Sequence, residues 1–325
     1  MKKKAIALKL IAIYAGFMPA IGLFAQQNAA KFPERTIQMI VPFGPGGTTD
    51  IMARLLQDEL GKALGNNASV VIVNTAGAGG LIGIQNTARA KADGYTIAMT
   101  TTGPQTLQPA RRDAPPYTPD QFDYLCGTYD VPVMAMVAQD SPYKTYSDLI
   151  KFAKANPGKL NYGISGIGGV LHVSMIELTQ ENGVTAEAVP FRSTGDMIIP
   201  LKSQQIQFFN ETPTVATQHQ LRPLIALSDA PVLGFETVPT AKSLGVKTRG
   251  SVWGGLVAPK GLPQDIRSKL EAACKAATAT TIYKARAQAA FTPLAYRTGD
   301  QFRSFVLAEH EKFKQVVKQH NLQEK

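Results

Sequence analysis

The sequence predicts an α/β protein of two lobes with a cleft between them, and three observations carry that expectation. Strand-like apolar runs alternate with helix-spaced apolar positions along the chain. A glycine-rich loop joins strand to helix three times over, and the alternation lapses in a proline-rich stretch near Gln105 before restarting at Phe122. Alternation of this kind argues for mainly parallel sheets flanked by helices, in which ligands bind beyond the carboxyl ends of the strands. A length of 325 residues suits two such units.

Residues 1–25 stand apart from the fold. Lys2, Lys3 and Lys4 precede an apolar stretch over residues 10–25 that Pro19 interrupts, and Ala25 supplies a small residue before Gln26-Gln27. That is the pattern of a secretory signal peptide cleaved near Ala25. The stretch is short for a membrane span, and no later segment reaches about 18 continuous apolar residues. The mature chain is therefore expected to be exported and soluble.

The mature chain opens with a strand over residues 36–41. The loop Val41-Pro42-Phe43-Gly44-Pro45-Gly46-Gly47-Thr48-Thr49-Asp50 follows, then Ile51, Met52, Leu55, Leu56 and Leu60 at helical spacing. Thr48 or Thr49 is expected to cap that helix. The glycines let the loop turn its amides outward beside the positive end of a helix dipole, an arrangement that binds anions. One such loop is equally a plain turn. A second, Asn74-Thr75-Ala76-Gly77-Ala78-Gly79-Gly80-Leu81-Ile82-Gly83, follows a strand over 69–73. A third, Tyr162-Gly163-Ile164-Ser165-Gly166-Ile167-Gly168-Gly169, follows a short strand near Leu160. The repetition points to one shared site built from loop backbones.

A helix over 81–90 and a strand over 95–100 come next, ending in the polar turn Thr101-Thr102-Gly103-Pro104; residues 105–120 read as irregular. Strands over 124–129 and 133–137 are separated by Asp130-Val131-Pro132, and Ser147 is expected to cap a helix over 148–155. After the third loop the pattern gives a helix over 170–181, a strand over 186–191, a helix over 196–201 and strands over 206–210 and 222–227. A loop-rich return over 231–250 leads to a strand over 252–258, a helix over 263–277 and a last helix over 300–319. That last helix buries Phe302, Phe305, Val306, Phe313, Val316 and Val317, with His310 as a core residue on the same stripe. Lobe 1 is thus expected to comprise residues 30–130 and 240–325, and lobe 2 residues 131–230. Hinge segments would lie near 129–132 and 228–250, and the lobes would close on a ligand between them.

Charge and chemistry narrow the function. Removing the four lysines of residues 1–25 from the formal charge of +10 leaves +6, an excess that suits an anionic small ligand or a negatively charged membrane surface. Nucleic acid is excluded as a partner because no basic run or basic-aromatic motif is present. The two cysteines, Cys126 and Cys274, are expected as separate buried thiols, with a bridge as the alternative in an oxidising compartment. No spacing suggests a metal, and no cofactor is expected. The first loop lacks the lysine of a phosphate-binding Walker motif. Gly77, Gly79 and Gly83 resemble a dinucleotide fingerprint, but the next strand ends in Thr100-Thr101-Thr102 where an acid would hold a ribose. Ser165 sits one glycine short of a nucleophile elbow with His172 nearby, so a secreted serine hydrolase using Ser165 and His172 is the enzyme alternative. No catalytic residue is assigned, because the loops are suited to bind rather than to react.

The motifs together resemble the extracytoplasmic solute receptors of tripartite tricarboxylate transporters, the Bug or TctC-like family. The resemblance runs from about Phe32 to Leu322. It rests on Phe32-Pro33-Glu34-Arg35, the first loop, Asn74 with Gly77-Ala78-Gly79-Gly80, Asp93-Gly94-Tyr95-Thr96 and Pro157-Gly158-Lys159-Leu160-Asn161-Tyr162-Gly163. Val189-Pro190-Phe191, Val238-Pro239-Thr240 and Trp253-x-Gly255-Leu256-x-Ala258-Pro259 follow in the expected order. The family implies the type II periplasmic binding-protein fold, a periplasmic location and a small carboxylate ligand. It also implies delivery to integral-membrane transporter subunits; the receptor itself is expected to be a monomer.

Carried onto this chain, the candidate ligand-binding residues are Phe43, Gly44, Pro45, Gly46, Gly47, Thr48 and Asp50 of the first loop, and Ala78 and Gly79 of the second. Thr101 and Thr102 follow, then Ser165, Gly166, Ile167, Gly168, Gly169 and His172 of the third loop, with Arg192 and Asn210. Asp50 has three open roles: capping the helix, bonding Arg54 or touching ligand. Gly169, Val170 and Leu171 stand where the family usually has small hydroxyl residues, Asn210 where an acid is common, and Arg192-Ser193 where lysine-glycine is usual. These departures point to a mono- or dicarboxylate with an apolar or aromatic body. Arg192 either grips a second carboxylate or stays on the surface. A ligand sensor for a signalling partner is the remaining alternative.

Overall fold

Eleven strands arrange themselves in two sheets in this computed structural model, which describes residues 31–324; the expected signal peptide lies outside the described residues. Five strands form the second sheet and six the first. Its opening run is β1 (Ile37–Val41), helix α1 (Thr48–Leu64), β2 (Val70–Asn74), α2 (Leu81–Arg89) and β3 (Thr96–Thr101). β1 lies parallel to both β2 and β3, the pairing that helical crossovers between strands allow.

β4 (Phe122–Pro132) leaves the first sheet and β5 (Met134–Val137) enters the second. The second sheet is completed by α3 (Tyr146–Ala155), β6 (Leu160–Ile164), α4 (Val170–Glu181), β7 (Ala186–Pro190), α5 (Ile198–Lys202), β8 (Phe208–Glu211), α6 (Pro213–His219) and β9 (Arg222–Ala226). The chain then returns through β10 (Ser251–Pro259), α7 (Gln264–Ala279), α8 (Thr281–Ala289), β11 (Leu294–Thr298) and α9 (Gly299–Gln319). The first sheet has the order β11-β4-β10-β3-β1-β2 and the second β7-β6-β8-β5-β9.

Both sheets are mixed, which corrects the expectation of mainly parallel ones. The strands that cross between the lobes run against their neighbours: β10 is antiparallel to β3 and β4, and β5 is antiparallel to β8 and β9. A chain that leaves a sheet on one long strand and returns on another enters each sheet from the opposite end. β4 runs unbroken through Asp130-Val131-Pro132, where the sequence suggested a gap. The two crossings lie side by side: the Val133 N–H donates to Gly250 O at 2.9 Å, and the Gly250 N–H donates to Leu227 O at 3.1 Å.

Local chemistry explains other differences. Thr145, not Ser147, caps α3, and Asp148 completes a capping box with it. Residues read as irregular after β3 form a helical stretch over Gly103–Leu107 and Gln108–Ala110, buried despite Pro104 and Pro109. α6, α8 and β11 are short elements with weak periodicity that the sequence did not separate from loop.

Cys126 of β4 and Cys274 of α7 form a disulfide, correcting the expectation of two thiols. Both are fully buried, with Cα atoms 6.5 Å apart. Apolar positions of α7 face the sheet, and that packing sets Cys274 against β4. α9 buries Phe302, Val306, His310, Phe313 and Val317. His310 is a core residue whose Nδ1 lies 2.7 Å from Thr106 O. Near its end, Phe313 and Val317 pack with Leu107 and with Val173 of α4, so the helix spans both lobes.

The disulfide closes a span of 148 residues, and removing such a link costs roughly 2–5 kcal/mol. Urea unfolding of Cys274→Ser beside the oxidised wild type should show that loss as a lower midpoint. Equal midpoints would mean that the two sulfurs do not hold the lobe together.

Candidate ligand-binding cleft

The strand ends of both lobes face a small inner cavity of about 50 Å³, which adjoins an open vestibule of about 690 Å³. Gly79, Ser165 and Gly166 line both, so the two spaces form one cleft. Phe43, Gly47, Thr48 and Thr49 wall the inner cavity on one side. Ser165, Gly166, Gly169, Val170, Leu171 and His172 face them from lobe 2. Thr101, Gly103, Pro104, Thr194, Glu211 and Val252 complete it.

Two helices direct their first turns at this cavity. α1, 17 residues long, starts at Thr48, and α4, 12 residues long, starts at Val170. Gly47 and Gly169 occupy their N-cap positions, and neither start has a side-chain cap. The first amides of a helix have no partner within it and sit at the positive end of its dipole. Thr48 is therefore the first helical residue rather than the cap; its hydroxyl instead donates to Glu211 Oε2 of lobe 2 at 3.0 Å.

Asp50 is engaged by the first loop and its neighbours. It is buried and accepts from the Gly46 N–H at 3.1 Å, Arg54 Nε at 3.0 Å and Asn74 Nδ2 at 2.9 Å. These bonds hold the first loop shut on itself and occupy the amide of Gly46. Gly44 and Pro45 pack against lobe 2: a Cβ on Gly44 would lie 2.9 Å from Ser193 Cβ, and one on Gly195 would lie 2.5 Å from Pro45 O. The second and third loops meet as backbone on backbone. Gly166 has φ +127°, and a Cβ there would fall 2.4 Å from Gly79 Cα, so no side chain fits between the lobes.

The remaining candidates separate by depth. Thr101 lines the inner cavity and donates to Trp253 O at 2.6 Å, while Thr102 lies behind it, accepting from the Trp253 N–H. Ala78 and Ile167 line the vestibule. Gly168 donates its N–H to His172 Nδ1 at 2.9 Å, which leaves the Nε2–H form of a neutral imidazole beside the cavity. Burial, reinforced by nearby Arg111, pushes the His172 pKa down to about 4. Arg192 stands at the vestibule rim with its side chain 87% exposed, 3.8 Å from Asp196. Asn210 is buried and turns away from the cavity, donating to Ser174 Oγ at 2.9 Å.

The acid of this strand is Glu211, one residue further on. Successive strand residues point to opposite faces, so the one-residue difference decides which side chain sees the cleft. Sequence reasoning ended the strand at Asn210 and missed Glu211; an acid directly before Thr212-Pro213 at a helix start was the available signal. Thr49, Thr194, Pro104 and Val252 were missed as well, because they enter the cleft only through the folding of separate segments.

The vestibule carries the cations that the inner cavity lacks. Arg111 donates from Nη1 to Ile167 O at 3.0 Å and from Nε to Leu322 O at 2.8 Å. It thereby joins both lobes to the carboxyl-terminal tail. Arg112 pairs with Glu324 of the same tail. No hydrogen bond joins Ser165 to His172 and no carboxylate pairs with His172 among the described residues, so the hydrolase arrangement is not formed. No group of three or more His, Cys, Asp or Glu among the described residues has the placement to hold a metal.

Comparison with known proteins places these features. Residues 52–322 match the family described as "Tripartite tricarboxylate transporter family receptor". Protein BugT of Bordetella pertussis is 31% identical over 320 residues, covering 96% of this chain and 97% of that protein. Among solved structures, the periplasmic binding protein BugD superposes with a TM-score of 0.85 at 26% identity, covering 90% of this chain and all of that one. MatC from Rhodopseudomonas palustris with bound malate gives 0.82 at 27%, covering 88% of this chain and 100% of that one. An R. palustris protein with adipate gives 0.81 at 26%, covering 88% and 97%.

The buried imidazole yields a pH effect of defined sign. Above about pH 6.5 His172 is neutral in the folded and the unfolded chain, and nothing is lost. Between about 6.5 and 4 only the unfolded chain takes up the proton, so stability falls with pH by up to roughly 3 kcal/mol. His219 and His310, also lowered by burial, add to the slope. His172→Asn keeps an acceptor for Gly168 and should flatten the fall in urea-measured stability over that window. An unchanged slope would show that the folded chain protonates His172 freely.

Proposed function

The chain belongs to the tripartite tricarboxylate transporter receptor family, whose members are solute-binding receptors and not enzymes, and from that premise we propose that it captures a small organic carboxylate in the inner cavity and delivers it to the membrane subunits of such a transporter. The observation that carries this reading is the convergence of two uncapped helix starts, one from each lobe, on a single cavity. A carboxylate between them accepts from amides that have no other partner. Each such charge-assisted bond contributes roughly 1.5–3 kcal/mol, so three or four of them, less the cost of association, reach about micromolar affinity. The lining of the inner cavity contains no lysine or arginine, which leaves recognition to backbone and hydroxyl groups.

The rest of the wall sets the kind of acid. Phe43, Pro104, Val170, Leu171 and Val252 are apolar, which favours a mono- or dicarboxylate with an apolar or aromatic body over a densely hydroxylated one. The malate and adipate of the two structural relatives are small dicarboxylates in keeping with this class. The inner cavity communicates with the vestibule past Gly79, Ser165 and Gly166, so a ligand can place its carboxylate inside and extend its body outward. Parting of the lobes about the paired crossings at Val133 and Gly250 would widen that route. The paired crossings and the backbone contact at Gly79 and Gly166 support a closing motion.

Isothermal titration of the purified chain with a panel of carboxylic acids should find binding in the micromolar range without turnover. Val170→Asp places a carboxylate in the first turn of α4, where a helix tolerates it, and directly at the cavity. It should melt like the wild type yet weaken carboxylate binding by roughly 100-fold through like-charge repulsion. Undiminished binding in that variant would move the ligand elsewhere.

A further inference from the structure

Glu211 is the one acid on the inner cavity, and its bonding is incomplete. Its Oε1 accepts from Thr194 Oγ1 at 2.7 Å. Its Oε2 accepts from Thr48 Oγ1 at 3.0 Å and from the Thr212 N–H at 2.9 Å. Thr48 Oγ1 also lies 2.5 Å from Thr212 Oγ1, so with Thr48 donating to Glu211 the Thr212 hydroxyl donates to Thr48. A carboxylate has about four acceptor positions; three are filled here, and one on Oε1 is left. No lysine, arginine or histidine forms an ion pair with Glu211 among the described residues, although it is only 4% exposed. A buried acid with three neutral donors and no cation is a poor stabilising device, because neutral donors offset only part of the cost of desolvation. Burial accordingly pushes its pKa up.

We propose that Glu211 sets the chemistry of the ligand group that meets it: that group is a hydrogen-bond donor (a hydroxyl, an amide or an ammonium) and not a second carboxylate. The inference rests on the receptor reading above and narrows it. The uncapped starts of α1 and α4 receive the ligand's carboxylate, and the open position on Oε1 receives the donor. A second carboxylate at that point would face a like charge in a site with little water, which is a strong means of rejection. Thr48 belongs to lobe 1 and Glu211 to lobe 2, so the same acid senses whether the lobes are together. A donor that completes its fourth position favours the joined arrangement.

The test is a set of matched pairs titrated into the purified chain at pH 7.5: succinate with its monoamide, adipate with its monoamide, and terephthalate with 4-carbamoylbenzoate. In the wild type the monoamide of a binding pair should bind at least ten-fold more tightly than the diacid. Glu211→Gln keeps the shape, and it should bring the two within about three-fold or reverse them. A melting temperature close to that of the wild type would show that this variant folds; if it does not fold, the wild-type ratios decide alone. A diacid that binds the wild type as tightly as its monoamide, or more tightly, overturns the inference while leaving the receptor reading intact. Binding by none of the six compounds, nor by any acid of the wider panel, removes the receptor reading and this inference with it.

Discussion

A helix begins with amides that its own hydrogen-bond ladder never reaches, and the cleft of this protein is built where two such beginnings, one from each lobe, open uncapped on one cavity. Three other helices are capped by side chains. Thr145 closes α3, Thr280 closes α8 and Thr298 closes α9, each through its hydroxyl. Only glycine precedes α1 and α4, and both of these starts open on the cavity. Unpaired amides in a secluded place are costly unless something accepts from them. What distinguishes α1 and α4 from α7, whose start also lacks a side-chain cap, is that their free amides open on the cavity.

The same economy governs how the lobes meet. Side chains would hold them apart, so the points of contact are glycines: Gly166 against Gly79, and Gly44 and Gly195 against the opposing turn. At the inner cavity the polar link across the gap is carried by the Thr48 hydroxyl, which reaches Glu211 and Thr212 of lobe 2. The cations are kept outside, in the vestibule, where Arg111 and Arg112 are already engaged by main-chain carbonyls and by Glu324. The inner space thus distinguishes ligands by the direction of hydrogen bonds, with net charge mattering at its mouth.

Much of this was legible in the sequence because glycine loops after strands have few structural meanings. The two-lobe α/β plan, the three loops and His172 all follow from local pattern, and Thr101, Ser165, Gly166 and Gly169 do line the inner cavity. What was not legible depends on register and on distant packing. Asn210 and Glu211 differ by one position in a strand, and only the pairing of β8 with β5 and β6 decides which faces the cleft. For Asp50 the sequence leaves capping, a bond to Arg54 and ligand contact equally open, and only the folded chain shows Gly46, Arg54 and Asn74 around it. The bridge between Cys126 and Cys274 required knowing that α7 lies across β4, which no spacing reveals. The mixed direction of the sheets likewise follows from two chain crossings whose geometry has no local signature.

The end of the chain lies across the joint it helps to form. Phe313 and Val317 pack on Val173 of the opposite lobe, His320 lies 3.5 Å from Glu177 there, and Leu322 and Glu324 are held by Arg111 and its neighbour at the mouth. This makes a third strap beside the two crossings, one that is tied by side chains rather than by covalent continuity. A purification tag, fluorophore or surface tether placed just after Glu324 would sit on that strap at the mouth of the cleft, and an acidic one would compete with Glu324 for Arg112.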